Sequence, residues 1–206
     1  MPLQRYEKER ILDACLAVFA RHGYEKTSTA MLAEAAGISK ALIFHHFKSK
    51  KKLYLSILDR CVENLKTALR IDDLIQYEDF FAAKEQIGLI KVDYLKRNPD
   101  VYKVWIEAFL TTPEEVKAEI EQKYGELLAE RDQFWRQLFD KVPLREGVDR
   151  EAAYRLVQMT LDGLSQKYVS MMTDDKSLDF HLHLLDERKQ FLDMIRYGIE
   201  GQREKG

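Results

Sequence analysis

The chain has 206 residues, of which 46% are hydrophobic and 33% are charged, proportions that are ordinary for a globular domain. Its apolar runs are too short to span a membrane, and its first residues lack the apolar segment of a signal peptide, so we expect a cytoplasmic protein. The net charge of −2 hides an asymmetry, since residues 1–53 contain ten basic and five acidic residues, while the remainder carries a net charge of −7. We therefore expect only the first quarter of the chain to contact a polyanion.

The predicted elements are all helices, because apolar residues recur at helical spacing and strand-like alternation is absent. The first helix covers residues 6–22 and is expected to end at Gly23, since glycine favours a helix stop. A short second helix follows at 28–36. Its residues Leu32 and Ala35 are expected to face inward.

A turn at Gly37 leads into a third helix over residues 40–46, which Ser39 is placed to cap. Phe47 is expected to lock this helix into a small core, and Ser49 is expected to cap a long fourth helix. Two short helices joined by a tight turn predict a helix-turn-helix, which presents its second helix to the major groove of DNA.

The later helices have clear start signals. Asn98 precedes a proline, Thr112 lies three residues before Glu115 as in a capping box, and Asp149 follows a glycine turn. A last helix is expected over residues 180–198, which gives about nine helices in total.

Three consecutive lysines, Lys50, Lys51 and Lys52, open the fourth helix. Cations in a first helical turn oppose the helix dipole, whereas a nearby phosphate backbone would favour them. Lys51 and Lys52 are therefore predicted to form an added cationic clamp on DNA, and the alternative is a tolerated solvent-exposed run. The adjacent His45 and His46 point about 100° apart on a helix, which disfavours a shared metal.

Two cysteines, Cys15 and Cys61, are too few for a disulfide framework. Both lie on apolar helical faces and are interpreted as reduced core residues. A redox switch between them is the alternative, and it would require Cα atoms within about 7 Å.

With these elements placed, the chain resembles the TetR family of bacterial transcriptional regulators. The matching residues keep the family's order and spacing over about a fifth of the chain, and they are Phe19, Gly23, Tyr24, Thr27, Ser28, Leu32, Ala33, Ala36, Gly37, Ile38, Ser39, Lys40, Phe44, His46, Phe47, Lys50 and Leu53. The resemblance implies an all-α fold with a helix-turn-helix DNA-binding domain at 1–48 and a helical ligand-binding and dimerisation domain at 49–206.

The resemblance assigns phosphate contacts to Thr27, Ser28 and Lys50. It places the other DNA contacts on the third helix and its cap, at Ser39, Lys40, Ala41, Leu42, Phe44, His45 and His46.

The chain departs from the family pattern at Ala41, Leu42 and Phe44, where the family often has glycine, threonine and tyrosine. A leucine cannot donate a hydrogen bond to a base, so apolar contact with a thymine methyl is expected instead. Direct readout of sequence would then depend more on Lys40 and His45.

The resemblance also implies a homodimer formed by the last two long helices, over residues 149–171 and 180–198, bound to a near-palindromic double-stranded DNA operator. The candidate interface residues are Leu156, Met159, Leu164, Leu184, Phe191, Leu192, Ile195 and Ile199. The sequence does not separate residues that pack between subunits from those that pack on their own subunit.

Aromatic residues are frequent between residues 77 and 139, and such residues line small-molecule pockets as well as cores. The resemblance implies an inducer pocket here, with candidate residues Trp105, Phe109, Trp135, Met159, Asp162 and Tyr168. We therefore predict a repressor that a small apolar or amphipathic inducer releases from DNA, with no cofactor and no metal.

The alternative is a helical small-molecule-binding protein or an enzyme with weak or no DNA binding. Against an enzyme, no glycine-rich phosphate loop and no G-x-S-x-G nucleophile motif occurs in the sequence. Asp162 or Glu107 in a pocket is expected to orient a ligand rather than to catalyse a reaction.

Overall fold

The computed structural model describes residues 2–69, 77–171 and 178–200, and within these ranges the chain forms nine helices and no β-strand. The prediction of an all-α fold is therefore confirmed. The helices are α1 Pro2–Lys26, α2 Thr29–Ala36, α3 Lys40–Phe47, α4 Lys50–Leu69, α5 Phe80–Arg97, α6 Pro99–Phe109, α7 Glu114–Asp140, α8 Arg150–Met171 and α9 Leu178–Ile199. In the part of the chain that is described, no helix is both long enough and apolar enough to cross a membrane.

The helix-turn-helix boundaries follow the predicted signals. Ser28 and Ser39 are the N-caps of α2 and α3, and their hydroxyl oxygens accept hydrogen bonds from the amides of Met31 and Leu42. Gly37 adopts the left-handed conformation (φ 67°, ψ 30°) that ends α2. These contacts confirm the tight turn between the two helices.

Two later helix starts are also capped as predicted. The hydroxyl of Ser49 accepts a hydrogen bond from the amide of Lys52 at 3.1 Å, at the start of α4. The carboxylate of Asp149 accepts one from the amide of Ala152 at 2.7 Å, at the start of α8. Both bonds satisfy amides that have no acceptor within the helix.

Two further helices begin at the predicted places, Asn98-Pro99 and Thr112-Pro113, but the Asn98 and Thr112 side chains bond to the preceding helix. The amide group of Asn98 donates to the backbone carbonyl of Tyr94 at 2.8 Å, and Asn98 makes no side-chain cap for α6. The hydroxyl of Thr112 donates to the carbonyl of Ala108 at 2.7 Å. Carbonyls at a helix end lack intrahelical donors, so these side chains satisfy them.

The chain divides into two compact units. The first comprises the described residues of Met1–Ala68 and Tyr94–Gly125, and the second comprises those of Leu69–Asp93 and Glu126–Gly206. The predicted division after residue 48 does not coincide with a boundary between these two units, and it stays a prediction.

The core of the first unit forms around Phe19, Tyr24 and Tyr54, which are all buried. The rings of Phe19 and Tyr24 each meet the Tyr54 ring edge-on at a centroid distance of 5.0 Å. On α2, Ala33 is buried and Ala35 is exposed, so the inward orientation predicted for Ala35 was wrong. Residues two apart on a helix point to nearly opposite faces.

Both cysteines are buried and free in the first unit. Burial raises the pKa of the Cys15 thiol to about 12 and that of the Cys61 thiol to about 11. The thiolates are therefore strongly disfavoured, which agrees with the interpretation of both residues as core residues.

The core of the second unit forms around Phe80, Phe139, Tyr154 and Trp135. The Phe80 ring lies 5.0 Å from the Phe139 ring and 5.9 Å from the Trp135 ring, both in edge-to-face geometry. Edge-to-face packing is favourable for aromatic pairs. Several of the aromatic residues noted in the sequence are thus core residues.

Candidate DNA-binding surface

Helix α3 is anchored by one face and exposed on the other. Ile43 and Phe47 are buried at 0% and 3% exposure, and they anchor α3 in the first unit. The exposed residues of α3 are Lys40, Ala41, Phe44 and His45. Four outward side chains on one short, anchored helix form a surface that a groove of DNA could accept.

Two predicted contact residues of α3 are less accessible. Leu42 and His46 are partly buried. The rings of His45 and His46 meet nearly at right angles, with centroids 5.4 Å apart. Among the described residues, no group of three or more His, Cys, Asp or Glu side chains is arranged to hold a metal ion.

The capping serines are exposed and retain a hydrogen to donate. Each of Ser28 and Ser39 accepts a bond through its oxygen, at 3.3 Å and 3.2 Å, so its own O–H remains available. Both lie at helix N-termini, where free amides and the helix dipole favour an anion. This geometry suits the predicted phosphate contact of Ser28.

Thr27 does not suit its predicted phosphate contact. Its side chain is 2% exposed, and its hydroxyl donates to the backbone carbonyl of Gly23 at 2.6 Å. The carbonyl of Gly23 needs this donor because the helix is interrupted there, with φ 74° and ψ 166°. Thr27 therefore stabilises the end of α1, and the prediction for its side chain is corrected.

Lys50 lies against the end of α1. Its ammonium donates to the backbone carbonyl of Tyr24 at 3.1 Å and lies 4.1 Å from the centre of the Tyr24 ring. A cation at this distance is attracted by the face of an aromatic ring. Lys50 is partly buried and is positioned by these contacts at the junction of α1 and α4.

Lys51 forms an ion pair with Glu119 of α7 at 2.7 Å. The hydrogen bond from Lys51 lowers the pKa of the Glu119 carboxyl. A phosphate contact by Lys51 would require it to leave this partner, whereas Lys52 is exposed. The structure therefore supports the added cationic clamp at Lys52 more than at Lys51.

Glu107 of α6 joins residues of α1 and α4. Its carboxylate accepts one hydrogen bond from the backbone amide of Tyr24 at 2.7 Å and another from the hydroxyl of Tyr54 at 3.1 Å. Burial and the neighbouring Glu107 carboxylate raise the pKa of Tyr54. The expectation that Glu107 orients a ligand is corrected, since both carboxylate oxygens bond to the protein.

The predicted pocket residues lie in different compact units. Trp105 and Phe109 belong to the first unit, where their ring centroids are 4.5 Å apart. Trp135 is buried in the second core, whereas Met159 is 67% exposed on α8.

Asp162 lies one helical turn beyond Met159 and is also exposed. The side chain of Tyr168 lies outside the described residues. The exposure of Met159 and Asp162 does not support an enclosed pocket at these two positions, and the ligand contacts stay predictions.

The structure divides the candidate dimer residues into two sets. Leu164, Leu192 and Ile199 are buried, and Leu184 and Ile195 are partly buried. The exposed set comprises Leu156, Met159, Phe191 and two residues that the sequence did not single out, Met194 and Tyr197.

Comparison with known proteins finds a family to which this surface is similar. Residues 11–57 match the family model for bacterial regulatory proteins of the tetR family. The match covers α2 and α3 entirely, together with the parts of α1 and α4 that pack on them.

Known transcriptional regulators are similar to this chain in sequence. The HTH-type transcriptional repressor Rv1474c of Mycobacterium tuberculosis is 29% identical over 106 residues, which cover 48% of this chain and 57% of the relative. The uncharacterized HTH-type transcriptional regulator YvkB of Bacillus subtilis is 31% identical over 100 residues, which cover 48% of this chain and 51% of the relative. The chain thus spans about half the length of these relatives.

The fold extends the similarity along the chain. The fatty acid degradation regulator FadR from Bacillus halodurans superimposes with a TM-score of 0.65 at 19% identity, covering 90% of this chain and 94% of that chain. At this identity the likeness concerns the fold. The matched family consists of regulatory proteins, which favours regulation over catalysis. The open face of α3, its capped turn and the match over residues 11–57 together show that this part of the chain is similar to bacterial regulatory proteins of the tetR family.

Proposed function

We propose that the chain is a homodimeric, sequence-specific DNA-binding repressor that a small apolar or amphipathic ligand releases from a near-palindromic operator. The observation that carries the proposal is the open face of α3, which exposes Lys40, Ala41, Phe44 and His45 while Ile43 and Phe47 anchor the helix. A DNA-binding helix needs both an anchored face and a free face.

The proposed DNA contacts are of two kinds, those that position the protein on the phosphate backbone and those that recognise the bases. Ser28, Lys50 and the amides at the start of α2 are suited to phosphate, which positions the protein without reading sequence. Lys40 is the exposed cation on α3 and is suited to the O6 and N7 acceptors of guanine. Ala41 and Phe44 offer apolar contact to thymine methyl groups.

A dimer is supported by the distribution of exposed apolar side chains. Of the eight large hydrophobic residues that are exposed in the described parts of the chain, five lie on α8 and α9. Leu156 and Met159 are three residues apart, as are Phe191, Met194 and Tyr197, so each set follows one helical face. Apolar helix faces of this kind are typical of an interface.

Dimerisation explains how one short helix would reach useful affinity. Two copies related by two-fold symmetry would place their α3 helices about 34–36 Å apart, one turn of DNA. The operator would then be a near-palindrome, because its two half-sites contact identical surfaces.

Ligand release is a population shift in this proposal. A ligand that binds better to a conformation with the wrong spacing of the α3 helices would lower affinity for the operator, and the operator would lower affinity for the ligand by the same factor. The similarity to Rv1474c, which is named a transcriptional repressor, supports repression as the outcome.

The proposal is tested by selecting DNA from a random pool with the purified chain and measuring affinity for the enriched sequence. We expect a near-palindrome bound much more tightly than random DNA at the same salt concentration. A matched variant, Met159→Glu with Met194→Glu, should be monomeric in sedimentation and should lose most of the affinity for the palindrome. Enrichment of no sequence, or an unaltered dimer in the double variant, would contradict the corresponding part of the proposal.

A further inference from the structure

A cleft of about 520 Å³ lies within the first compact unit, where α1 and α4 meet the junction of α5 and α6. Its volume is in the range of clefts that hold small molecules. None of the described residues that line it belongs to α2 or α3, so the proposed DNA contacts on those helices do not use it. The lining combines charged, neutral polar and apolar side chains, and each class restricts what the cleft could bind.

The charged side chains give the cleft a net negative charge. Among the described residues that line it, Arg60 of α4 is the only cation, while α1 contributes the carboxylates of Glu9 and Asp13. One terminal nitrogen of Arg60 lies 3.1 Å from Oε2 of Glu9, and the other lies 2.8 Å from Oδ1 of Asp13. The guanidinium is therefore already bound on both sides and is not available to an anionic ligand. One unit of negative charge remains in excess, which attracts a cation.

The two carboxylates keep acceptor sites for such a cation. An ionised carboxylate has about four lone-pair sites, and the Asp13 side chain is 73% exposed despite its bond to Arg60. Glu9 and Asp13 are four residues apart on α1, so they lie on one face of that helix. An ammonium group only donates hydrogen bonds, and it therefore matches a pair of carboxylates that only accept them.

Neutral polar side chains also line the cleft. The hydroxyl of Tyr94 and the side-chain amide of Asn64 have no hydrogen-bond partner among the residues that the structure describes. Burial raises the pKa of Tyr94, so its hydroxyl stays protonated and can both donate and accept a bond. These two groups can therefore bond to further polar atoms of a ligand.

Apolar side chains complete the lining. They are Leu16 of α1, Cys61 of α4 and Val101 of α6. Burial raises the pKa of the Cys61 thiol to about 11, so this side chain stays neutral and behaves as a small apolar group. An inorganic cation could not use these surfaces, whereas the hydrocarbon part of an organic cation gains from being buried against them.

We propose that this cleft binds an organic amine, whose ammonium group bonds to Asp13 and Glu9 and whose hydrocarbon part packs against Leu16 and Val101. The unpartnered hydroxyl and amide supply hydrogen bonds to other polar atoms of the amine, and the charge of the cleft excludes organic anions. The inference does not rest on the proposed function, since neither DNA nor the predicted inducer contacts take part in this site.

The experiment uses two fluorescent probes that differ in one charge. Dansylcadaverine is a primary amine, and its N-acetyl derivative is neutral but has the same rings and chain. We expect the purified protein to bind the amine at least about tenfold more tightly than the derivative, as measured by the anisotropy of the dansyl group. Asp13→Asn should weaken binding of the amine about fivefold or more and should change binding of the derivative less than twofold.

Glu63→Gln is the matched control. Glu63 lies on α4, is exposed and pairs with Lys66, but it does not line the cleft. Its substitution removes the same charge and also breaks an exposed ion pair, so it should change binding of either probe less than twofold. Asn64→Trp fills the cleft from an exposed position and should abolish binding of both probes.

Any of four results would overturn the site. These are equal affinity of the wild type for the two probes, unchanged binding of the amine by Asp13→Asn, an equal loss in Glu63→Gln, and wild-type affinity in Asn64→Trp. If Asp13→Asn does not fold, Glu9→Gln takes its place, since it removes the neighbouring carboxylate of the same cleft. Operator binding is measured separately without probe, so failure of DNA binding would remove the proposed function and leave the result on the amine site intact.

Discussion

The carboxylate of Glu107 accepts a hydrogen bond from the backbone amide of Tyr24 at 2.7 Å, across 83 residues of sequence. The amide needs this acceptor because the backbone at Gly23 leaves helical geometry, with φ 74° and ψ 166°. The same carboxylate accepts the hydroxyl of Tyr54, so one acidic side chain of α6 holds α1 and α4 together. The helix break predicted from Gly23 therefore depends on a residue far along the chain.

Replacing Glu107 with alanine should destabilise the protein by about 1–3 kcal/mol, because it leaves the buried amide of Tyr24 without an acceptor. The measurement is urea unfolding followed by circular dichroism. Glu121→Ala, an exposed glutamate on α7, is the control and should change the free energy of unfolding by less than about 0.5 kcal/mol. Equal effects of the two substitutions would show that the Glu107 contacts contribute no stability.

Gly23→Ala should be more destabilising than Gly37→Ala, although both positions have positive φ. At Gly23 the backbone is in a region that is essentially restricted to glycine, at about 1–3 kcal/mol for other residues. A Cβ there would also lie 2.9 Å from Oε1 of Glu107, whereas nothing lies within 4 Å of a Cβ at Gly37. Thermal unfolding of both variants tests the order, and a lower Tm for Gly37→Ala would contradict it.

Lys50→Ala should weaken binding to all DNA sequences and should reduce the slope of log affinity against log salt by about one unit, as one phosphate contact is lost. Fluorescence anisotropy at several salt concentrations measures the slope. Lys96→Ala removes an exposed lysine at the end of α5 and should leave the slope as it is in the wild type. An unchanged slope in Lys50→Ala would remove Lys50 from the DNA contacts.

Lys40→Ala should cost about 1–3 kcal/mol at one position of the operator if Lys40 binds guanine there. The variant is compared with the wild type on the selected operator, on operators changed at each single position and on random DNA. The loss should disappear when the guanine contacted by Lys40 is replaced. Equal losses on the operator and on random DNA would instead assign Lys40 to the phosphate backbone.

The pKa of Lys84 predicts a pH dependence of stability. This pKa falls from 10.5 to about 7 in the folded protein, so between these values the unfolded chain binds more protons and stability rises with pH. Burial is the main cause of the lowered pKa, Arg188 and Arg131 lower it further, and Asp132 and Asp162 raise it.

Lys84→Met should therefore be more stable than the wild type at pH 7, with a difference that shrinks towards pH 10. Chemical unfolding of both proteins across this range measures the difference. A difference that stays constant with pH would show that Lys84 keeps its ordinary pKa.

Much of the local architecture was predictable because its causes are local. Ser28, Ser39 and Gly37 act on backbone groups within a few residues, so their positions in the sequence were sufficient to predict the turn. Asn98 and Thr112 were harder to predict, because each side chain could bond either to a carbonyl at the end of the preceding helix or to an amide at the start of the next one. Propensity alone did not decide between these partners.

The contacts of the charged side chains could not be predicted from the sequence, because they join helices that are far apart along the chain. Glu107 and Arg188 each resemble an ordinary charged residue on an amphipathic helix, and only the packing of α6 on α1, or of α9 on α5, reveals their partners. Thr27 was misread for a related reason. The sequence indicates a hydroxyl at the start of a helix, where phosphate binds well. It does not show that this hydroxyl already donates a hydrogen bond to an earlier backbone carbonyl.

The two backbone polar groups of Tyr24 are bound by side chains of opposite charge, with Glu107 on its amide and Lys50 on its carbonyl. A phosphate that drew Lys50 away would leave that carbonyl with a weaker set of donors. In the proposed complex the operator and the end of α1 would compete for the ammonium group of Lys50, so the contribution of Lys50 to DNA affinity would be the difference between the two bonds. We therefore expect that a substitution giving the Tyr24 carbonyl another hydrogen-bond donor would release Lys50 and increase the affinity for DNA, although the new side chain would not contact DNA.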